Sequence, residues 1–263
     1  MLKRWNTLIY DVELILKFLH VILVSLKIDD RFQKRKGRKP KRLPSLYVKA
    51  IVLKEIFRCS LRYSESLARK FLKVRIPKST LNYWETKHSN LIKEVLKALN
   101  GFLSQIEYFY TVIDSTKFSN WNKNLSELFV CVSVGESLVP VYVDLMSSEE
   151  EFVAGIPEGN GFALADGAFD TKKVLNELVW KGYLPIVKST KRKPDGLGSK
   201  IRDLFFDKSV YRYRSVGEGY FGALSVEFGD RLKSRGKSDK ARILARNVIY
   251  CIKIALRWKH GAS

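Results

Sequence analysis

Three acidic residues in the second half of the chain have the types and spacing that phosphodiester chemistry needs. Asp114 and Asp166 each follow an apolar segment of strand character, and Glu218 lies one helical turn after Arg214. Carboxylate oxygens are hard ligands for Mg²⁺, and a pair of such ions can activate a hydroxyl and stabilise a leaving oxygen. We therefore predict that these three acids form a catalytic site that holds two Mg²⁺ or Mn²⁺ ions.

The elements around the acids must bring them together. Asp114 is predicted at the end of the first strand of a sheet, Asp166 at the end of a strand beside it, and Glu218 on a helix across the sheet edge. Each acid alone also has a structural explanation, since the two aspartates fit strand-ending turns and Glu218 fits a surface pair with Arg214. Asp170 also fits as the cap of the helix that follows it. The order of the acids along the chain favours the joint site.

The strong positive charge indicates a polyanionic partner. The 263 residues include 48 Lys and Arg against 27 Asp and Glu, which gives a net charge of +21. Such an excess favours binding to a phosphate backbone, although a ribosome-associated or membrane-surface protein would share it. The cysteines and histidines are too scattered for a zinc site or a His-based triad, and they indicate reduced thiols in a cytosolic protein. These residues are Cys59, Cys131, Cys251, His20, His88 and His260.

The first 43 residues divide into a helix and a basic arm. Over residues 1–30 apolar positions recur at helical spacing between charged ones, which predicts a packed amphipathic helix, with no signal peptide and no membrane span. Residues 31–43 form the arm, and eight of the twelve positions 31–42 are basic. The arm resembles those that lie in an A·T-rich minor groove, and a solvated basic linker fits it equally well. The arm residues predicted to contact DNA are Arg35, Lys36, Arg38, Lys39, Lys41 and Arg42.

Residues 44–104 are predicted to form a helical DNA-binding domain. Helices are expected over 46–57, over 64–72 with Ser64 as N-cap, and from Ser79 or Thr80 to His88. Three short helices with a tight break before the last are typical of a helix-turn-helix, whose last helix enters the major groove. Leu81 and Trp84 are expected to pack inward, and a connecting helix over 91–103 follows. The residues predicted to face DNA are Lys78, Ser79, Thr80, Asn82 and Lys87.

Residues 105–260 are predicted to form an α/β domain. Strands are expected over 108–113, 128–134, 138–145, 162–165 and 184–187, with a helix over 172–181. Three antiparallel strands followed by alternating strands and helices match an RNase H-like layout, an α+β mixed sheet covered by helices. A helix over 218–228 and a last helix over 238–258 complete the domain. Two basic loops, 188–200 and 231–237, supply the predicted DNA contacts Lys191, Arg192, Lys193, Arg231 and Lys233.

The chain resembles the DDE transposases of prokaryotic insertion sequences, in the branch whose third motif reads Tyr-x2-Arg-x3-Glu-x6-Lys. Tyr211, Arg214 and Glu218 match this motif, and Ser225 stands where the motif has Lys. Asp114 with the following Ser and Thr resembles the first motif of the family, and the segment 165–170 resembles its second. The basic arm with its Gly-Arg-Lys-Pro sequence is also similar, so the resemblance covers about residues 35–258.

The resemblance implies an RNase H-like catalytic domain with two divalent ions, which acts on double-stranded DNA as a homodimer or larger synaptic complex. The DNA partners are the terminal inverted repeats of the element and the target DNA. Arg214 would orient Glu218 or a DNA phosphate, and Tyr211 would pack near the scissile strand. No nucleotide cofactor is implied. We expect a cytoplasmic, nucleoid-associated protein of a prokaryotic host, and the Lys-rich, Gln-poor composition indicates a thermophile or archaeon.

The expected activity is metal-dependent cleavage at the ends of an element and strand transfer into target DNA. Ser225 in place of the motif Lys leaves room for a catalytically silent, transposase-derived DNA-binding protein. A nuclease or resolvase on the same fold, which cuts without joining, is the third alternative.

Overall fold

A computed structural model describes residues 2–33, 39–104, 110–119, 125–135, 138–191, 194–229, 231–232 and 237–261. The chain forms two compact units. Unit 1 comprises Met1–Leu99, Asn120–Asn124 and Leu232–Ser263, and unit 2 comprises Asn100–Ser119 and Leu125–Arg231. The class is mixed α/β, as predicted.

The helices and strands follow one another along the chain in this order. The first half contains α1 (Leu2–Ser25), α2 (Ile28–Gln33), α3 (Pro44–Ile56), α4 (Leu61–Leu72), α5 (Lys78–Lys87), α6 (Ser89–Leu103), β1 (Tyr110–Ser119) and β2 (Leu125–Val134). The second half contains β3 (Leu138–Leu145), α7 (Glu149–Gly155), β4 (Phe162–Ala165), α8 (Lys172–Trp180), β5 (Leu184–Val187), α9 (Leu197–Phe205), α10 (Lys208–Tyr211), α11 (Arg214–Phe228) and α12 (Asp239–Gly261). A short 3-10 helix, Gly167–Phe169, lies between β4 and α8.

Unit 1 is a helical bundle built around α3. This helix packs against α1, α2, α4, α5 and α12. Its apolar residues are buried on more than one side, which is typical of a central helix. The predicted N-terminal helix is confirmed by α1, in which Val12, Ile15 and Leu19 are buried.

Buried charges tie α12 to the same bundle. Glu55 of α3 accepts a hydrogen bond from the Arg246 Nε of α12 at 3.0 Å, and both side chains are almost fully buried. A buried carboxylate is tolerated only with such a partner, so this pair fixes where α12 packs. The last helix therefore belongs to the helical unit, whereas the sequence analysis assigned it to the domain 105–260.

The helices α4 and α5 begin at positions that differ from the predicted ones. The cap of α4 is Ser60, whose hydroxyl accepts a hydrogen bond from the Tyr63 backbone N–H, so the prediction of Ser64 as the cap was wrong. Because α5 begins directly after Pro77, Ser79 and Thr80 lie inside its first turn and do not cap it. Proline suits the start of a helix, since its fixed φ is close to the helical value.

The predicted orientation of α5 is confirmed. Leu81 and Trp84 are buried, as expected. Of the five α5 residues predicted to face DNA, Thr80 is half-buried, and the others, Lys78, Ser79, Asn82 and Lys87, are exposed.

Unit 2 contains a five-stranded sheet in the order β3-β2-β1-β4-β5. The neighbours β1, β2 and β3 pair antiparallel, and β1, β4 and β5 pair parallel. The predicted hairpin of β2 and β3 is confirmed, and β4 and β5 have the predicted bounds. By contrast, β1 continues to Ser119, so the prediction that Asp114 ends this strand was wrong. Continuous pairing with β2 extends β1 past Asp114.

Helices cover both faces of this sheet. On one face Ile113 and Phe129 pack with Phe152 of α7 and with Val174 and Leu178 of α8. The other face carries Val112, Leu164 and Ile186, with Tyr211 packed against them. The sequence analysis did not predict α7, and it assigned the α9 region to a loop over 188–200.

Candidate acidic site on the sheet

Asp114 and Asp166 come directly after the paired residues of two neighbouring parallel strands. The pairing of β1 with β4 runs up to Ile113 and Ala165, so Asp114 is the next residue of β1 and Asp166 is the residue that follows β4. The prediction that Asp166 follows a strand beside that of Asp114 is therefore confirmed. The Asp166 Oδ1 accepts a hydrogen bond from the Ala168 backbone N–H at 2.9 Å, at the start of the short 3-10 helix. This contact fixes one carboxylate oxygen.

Glu218 reaches the first aspartate through an arginine. The Arg214 Nη2 donates to the Glu218 Oε1 at 3.0 Å, and the Arg214 Nη1 donates to the Asp114 Oδ2 at 3.5 Å. Arg214 and Glu218 lie one turn apart, as the sequence predicted, whereas the helix that carries them, α11, begins at Arg214 and not near Glu218 as predicted. The Arg214 side chain is 23% exposed, Asp114 is 14% exposed and Glu218 is 57% exposed. The third acid thus faces solvent while the first is mostly enclosed.

The charges of the three acids act on one another. Burial raises the pKa of Asp114, the Ser115 N–H and the Arg214 guanidinium lower it, and the charges of Asp166 and Glu218 raise it again. Asp166 and Glu218 therefore lie near enough for their charges to act on Asp114.

Tyr211 lies at the same site. Burial raises the pKa of its hydroxyl, which hydrogen-bonds Arg214 and also senses the charges of Asp166 and Asp114. The phenol stays protonated at neutral pH and can donate a hydrogen bond. The predicted supporting pair of Tyr211 and Arg214 is thus found beside the acids.

The donors fit Mg²⁺ in their chemistry, because all three acids offer hard carboxylate oxygens. Arg214 lies between Asp114 and Glu218 and keeps these two carboxylates apart. Within the part of the chain that the structure describes, no group of three or more Asp, Glu, His or Cys side chains lies close enough to hold one ion. Arg214 holds Glu218 and Asp114 to its own guanidinium, so Glu218 can join the aspartates only when that contact opens.

Asp170 has a structural role that the sequence analysis did not identify. The cap of α8 is Thr171, so the alternative that Asp170 caps this helix was wrong. Asp170 is buried, accepts hydrogen bonds from the Thr190 N at 2.6 Å and Oγ1 at 2.9 Å, and forms an ion pair with Arg202. A Cβ built on Gly167 would lie 3.0 Å from the Thr190 Cγ2. The hydrogen bonds of Asp170 therefore hold Thr190 in place beside Gly167, the residue that follows Asp166.

The predicted DNA contacts lie in both units. In the described parts of the chain, Lys191 and Arg231 are exposed in unit 2, and five residues of unit 1 line one groove. Lys78, Asn82 and Lys87 are exposed on α5 and lie outside the lining of this groove. These five are Lys39, Lys41, Arg42, Ser79 and Thr80. Arg35, Lys36, Arg38, Arg192, Lys193 and Lys233 lie outside the described residues. Arg75 and Tyr83 also line the groove, and neither was predicted from the sequence as a DNA contact.

Comparison with known proteins identified no similar protein. No protein-family model matches the chain, and a search of the curated proteins finds no similar sequence. No helix within the described residues is long and apolar enough to cross a membrane.

Proposed function

We propose that this chain is a DDE-type DNA transposase of a prokaryotic insertion sequence. The observation that carries the proposal is that Asp114 and Asp166 directly follow the paired residues of two parallel strands, with Glu218 linked to Asp114 through Arg214. A sheet with three antiparallel strands and two further parallel ones supports an RNase H-like catalytic domain for unit 2.

The proposed reaction breaks and forms phosphodiester bonds. Two Mg²⁺ ions, when bound, supply activation of the attacking hydroxyl and stabilisation of the leaving oxygen. Asp114 and Asp166 would hold them from the rigid sheet, and Glu218 would complete the set from α11. Hydrolysis at the end of the element breaks a P–O3′ bond and leaves a 3′-hydroxyl on the element and a 5′-phosphate on the flanking DNA. That hydroxyl then attacks a phosphodiester of the target DNA, where the new P–O bond forms as the 3′-oxygen of the target strand leaves.

Arg214 and Tyr211 would act on the DNA. When Glu218 turns to the site, the Arg214 guanidinium loses one of its two carboxylate partners, and its Nη2 gains the freedom to bind a phosphate. The protonated Tyr211 hydroxyl can donate a hydrogen bond to the same strand. The net charge of +21 supports DNA as the partner, and the two cuts that excision needs support a dimer or larger complex.

A catalytically silent DNA-binding protein is the second candidate. It is favoured by Ser225, which stands where the resembled motif has Lys, and by the ion pairs that hold two of the acids to Arg214. A nuclease or resolvase with the same acids would cut DNA and would not join it.

One experiment separates the three functions. A labelled duplex that carries the ends of the element is incubated with the full chain and Mg²⁺ or Mn²⁺, beside Asp166→Ala and the exposed-acid control Asp195→Ala. Joined products that vanish only in Asp166→Ala would support the transposase. Cut products without joining would favour the nuclease, and binding without any product would favour the silent protein.

A further inference from the structure

One surface of unit 1 combines concentrated positive charge with a groove of about 1070 Å³. Residues 39–42 form one side of the groove, and residues 75–84 form the other. Of the residues that the structure describes, four cations and no carboxylate line it. These cations are Lys39, Lys41, Arg42 and Arg75. A concave surface with charges of one sign focuses its potential on a ligand of the opposite sign.

An aromatic floor holds the two sides of the groove together. Tyr47 stacks on Trp84 of α5, with ring centroids 4.3 Å apart and planes 17° apart. The Tyr47 hydroxyl also interacts with the Arg42 backbone, which connects the floor to the other side. Because both sides share this floor, the groove exists before a ligand binds, and little ordering is required on binding.

The outer edge of the groove presents groups that are free to meet a ligand. Arg75 is 70% exposed and Tyr83 is 53% exposed. The Arg75 Nε donates to the Glu65 Oε1 at 3.1 Å, and the Arg69 Nη2 donates to the same oxygen at 2.9 Å. Since Arg69 can keep Glu65 neutralised, Arg75 can turn to a phosphate without leaving a carboxylate unpaired.

We propose that this groove clamps the sugar–phosphate backbone of duplex DNA, with Arg42 and Arg75 binding phosphates from its two sides. The inference rests on the proposed function, in which DNA is the partner, and adds where and how unit 1 grips it. Residues 39–42 and α5 then hold one stretch of the DNA backbone together, and Arg75 joins the contacts.

Salt dependence of DNA binding tests the clamp. The full chain in EDTA is titrated into a fluorescein-labelled duplex of mixed sequence, and anisotropy gives the binding constant from about 50 to about 200 mM KCl. Each lost phosphate contact reduces the magnitude of the negative slope of log K against log salt concentration by about 0.9. We expect this loss in Arg42→Ala and in Arg75→Ala, and about twice this loss in the double variant. Arg257→Ala, at an exposed position of α12, is the matched control and should keep the wild-type slope. Circular dichroism checks that every variant folds.

A second variant separates a DNA contact from a structural role of Arg75. Glu65→Gln removes the carboxylate that competes with phosphate for Arg75, so DNA binding should tighten, and the gain should shrink in the Arg75→Ala background.

Unchanged slopes in Arg42→Ala and Arg75→Ala would overturn the clamp. An RNA duplex that binds more tightly than DNA, with the same slope losses, would overturn DNA as its ligand. Because no divalent ion is present, a failed cleavage assay would overturn the proposed catalysis and leave the clamp standing.

Discussion

Gly217 of α11 faces Val112 of β1 so closely that a Cβ built on the glycine would lie 2.4 Å from the Val112 Cγ1. Carbon atoms do not approach that closely, so only glycine permits this contact. The contact brings α11 down onto the strand that carries Asp114. The same helix can therefore place Arg214 at 3.5 Å from the Asp114 carboxylate.

Replacing Gly217 by Ala should push α11 away from β1. We expect a loss of about 1–3 kcal/mol in the free energy of unfolding, because an added methyl in a packed contact forces the backbone to shift. Metal-dependent cleavage should fall with it, since Glu218 moves away from the aspartates. Urea unfolding and the cleavage assay measure the two effects.

Gly222 on the same helix provides the control. A Cβ there meets no atom within 4 Å, so Gly222→Ala should raise stability by about 0.5–1 kcal/mol through the better helix propensity of Ala. Equal effects of the two substitutions would contradict the close approach at Gly217.

Replacing Asp114 by Asn should stabilise the protein near neutral pH. Burial raises the pKa of Asp114, so the folded state binds a proton more tightly than the unfolded chain does, and the ionised carboxylate destabilises the fold. This penalty is absent below the unfolded pKa of about 4 and grows as the pH rises through the folded pKa. We therefore expect the advantage of Asp114→Asn to disappear in acid, as measured by urea unfolding across the pH range.

Asp207 is a control of opposite sign. Hydrogen bonds from Ser209 lower its pKa, so its ionised form contributes stability above the unfolded pKa and loses it as the pH falls through the folded pKa. Asp207→Asn should therefore be neutral or destabilising near neutral pH. An Asp114→Asn variant that is less stable than the wild type at every pH would contradict the burial effect.

The bounds of β4 and β5 and one part of the acidic site could be predicted from the sequence, whereas the end of β1 could not. The segments that became β4 and β5 are apolar and bounded by turn residues, so their limits were predictable. The spacing of Arg214 and Glu218 likewise fixed one helical face. The end of β1 was not predictable, because Asp114 and its polar neighbours remain in the strand only through pairing with β2. Local pattern does not contain that long-range partner.

Contacts between distant residues account for the remaining differences. The region of α9 contains Gly196 and Gly198 and carries many basic residues, so it was predicted as a loop. A Cβ on Gly198 would lie 2.3 Å from the Leu175 backbone, which shows that tight packing on α8 defines this helix. The buried pair of Glu55 and Arg246, 191 positions apart, is equally invisible to a local pattern.

Breaking the buried pair of Asp170 and Arg202 should be strongly destabilising. Both side chains are almost fully enclosed, and Asp170→Asn leaves the buried Arg202 with only the carboxylate of Asp203, which is 65% exposed, so the variant should lose about 3–5 kcal/mol of stability. The loss of charge also weakens the hydrogen bonds that Asp170 accepts from Thr190, so metal-dependent DNA cleavage should fall even where the variant remains folded. Urea unfolding and the cleavage assay measure these effects. Asp203→Asn, which changes an exposed neighbour of Arg202, should have little effect on either, and a similar loss in both variants would contradict a special role for Asp170.

The buried pair of Lys54 and Glu85 should show strong coupling between α3 and α5. Both side chains are fully enclosed, so Lys54→Met alone should reduce the free energy of unfolding by about 3–5 kcal/mol, because Glu85 is left unpaired. The double variant Lys54→Met with Glu85→Leu removes both charges and should recover most of this loss. A double-mutant cycle in urea gives the coupling energy.

The exposed pair of Arg69 and Glu65 on α4 offers a matched comparison for that cycle. Solvent screens these two charges, so their coupling should be far smaller than that of Lys54 and Glu85. A strong coupling of the buried pair would mean that α5 is positioned by its inner face, through Glu85. Similar coupling energies for the two pairs would instead show that Glu85 does not hold α5 in place.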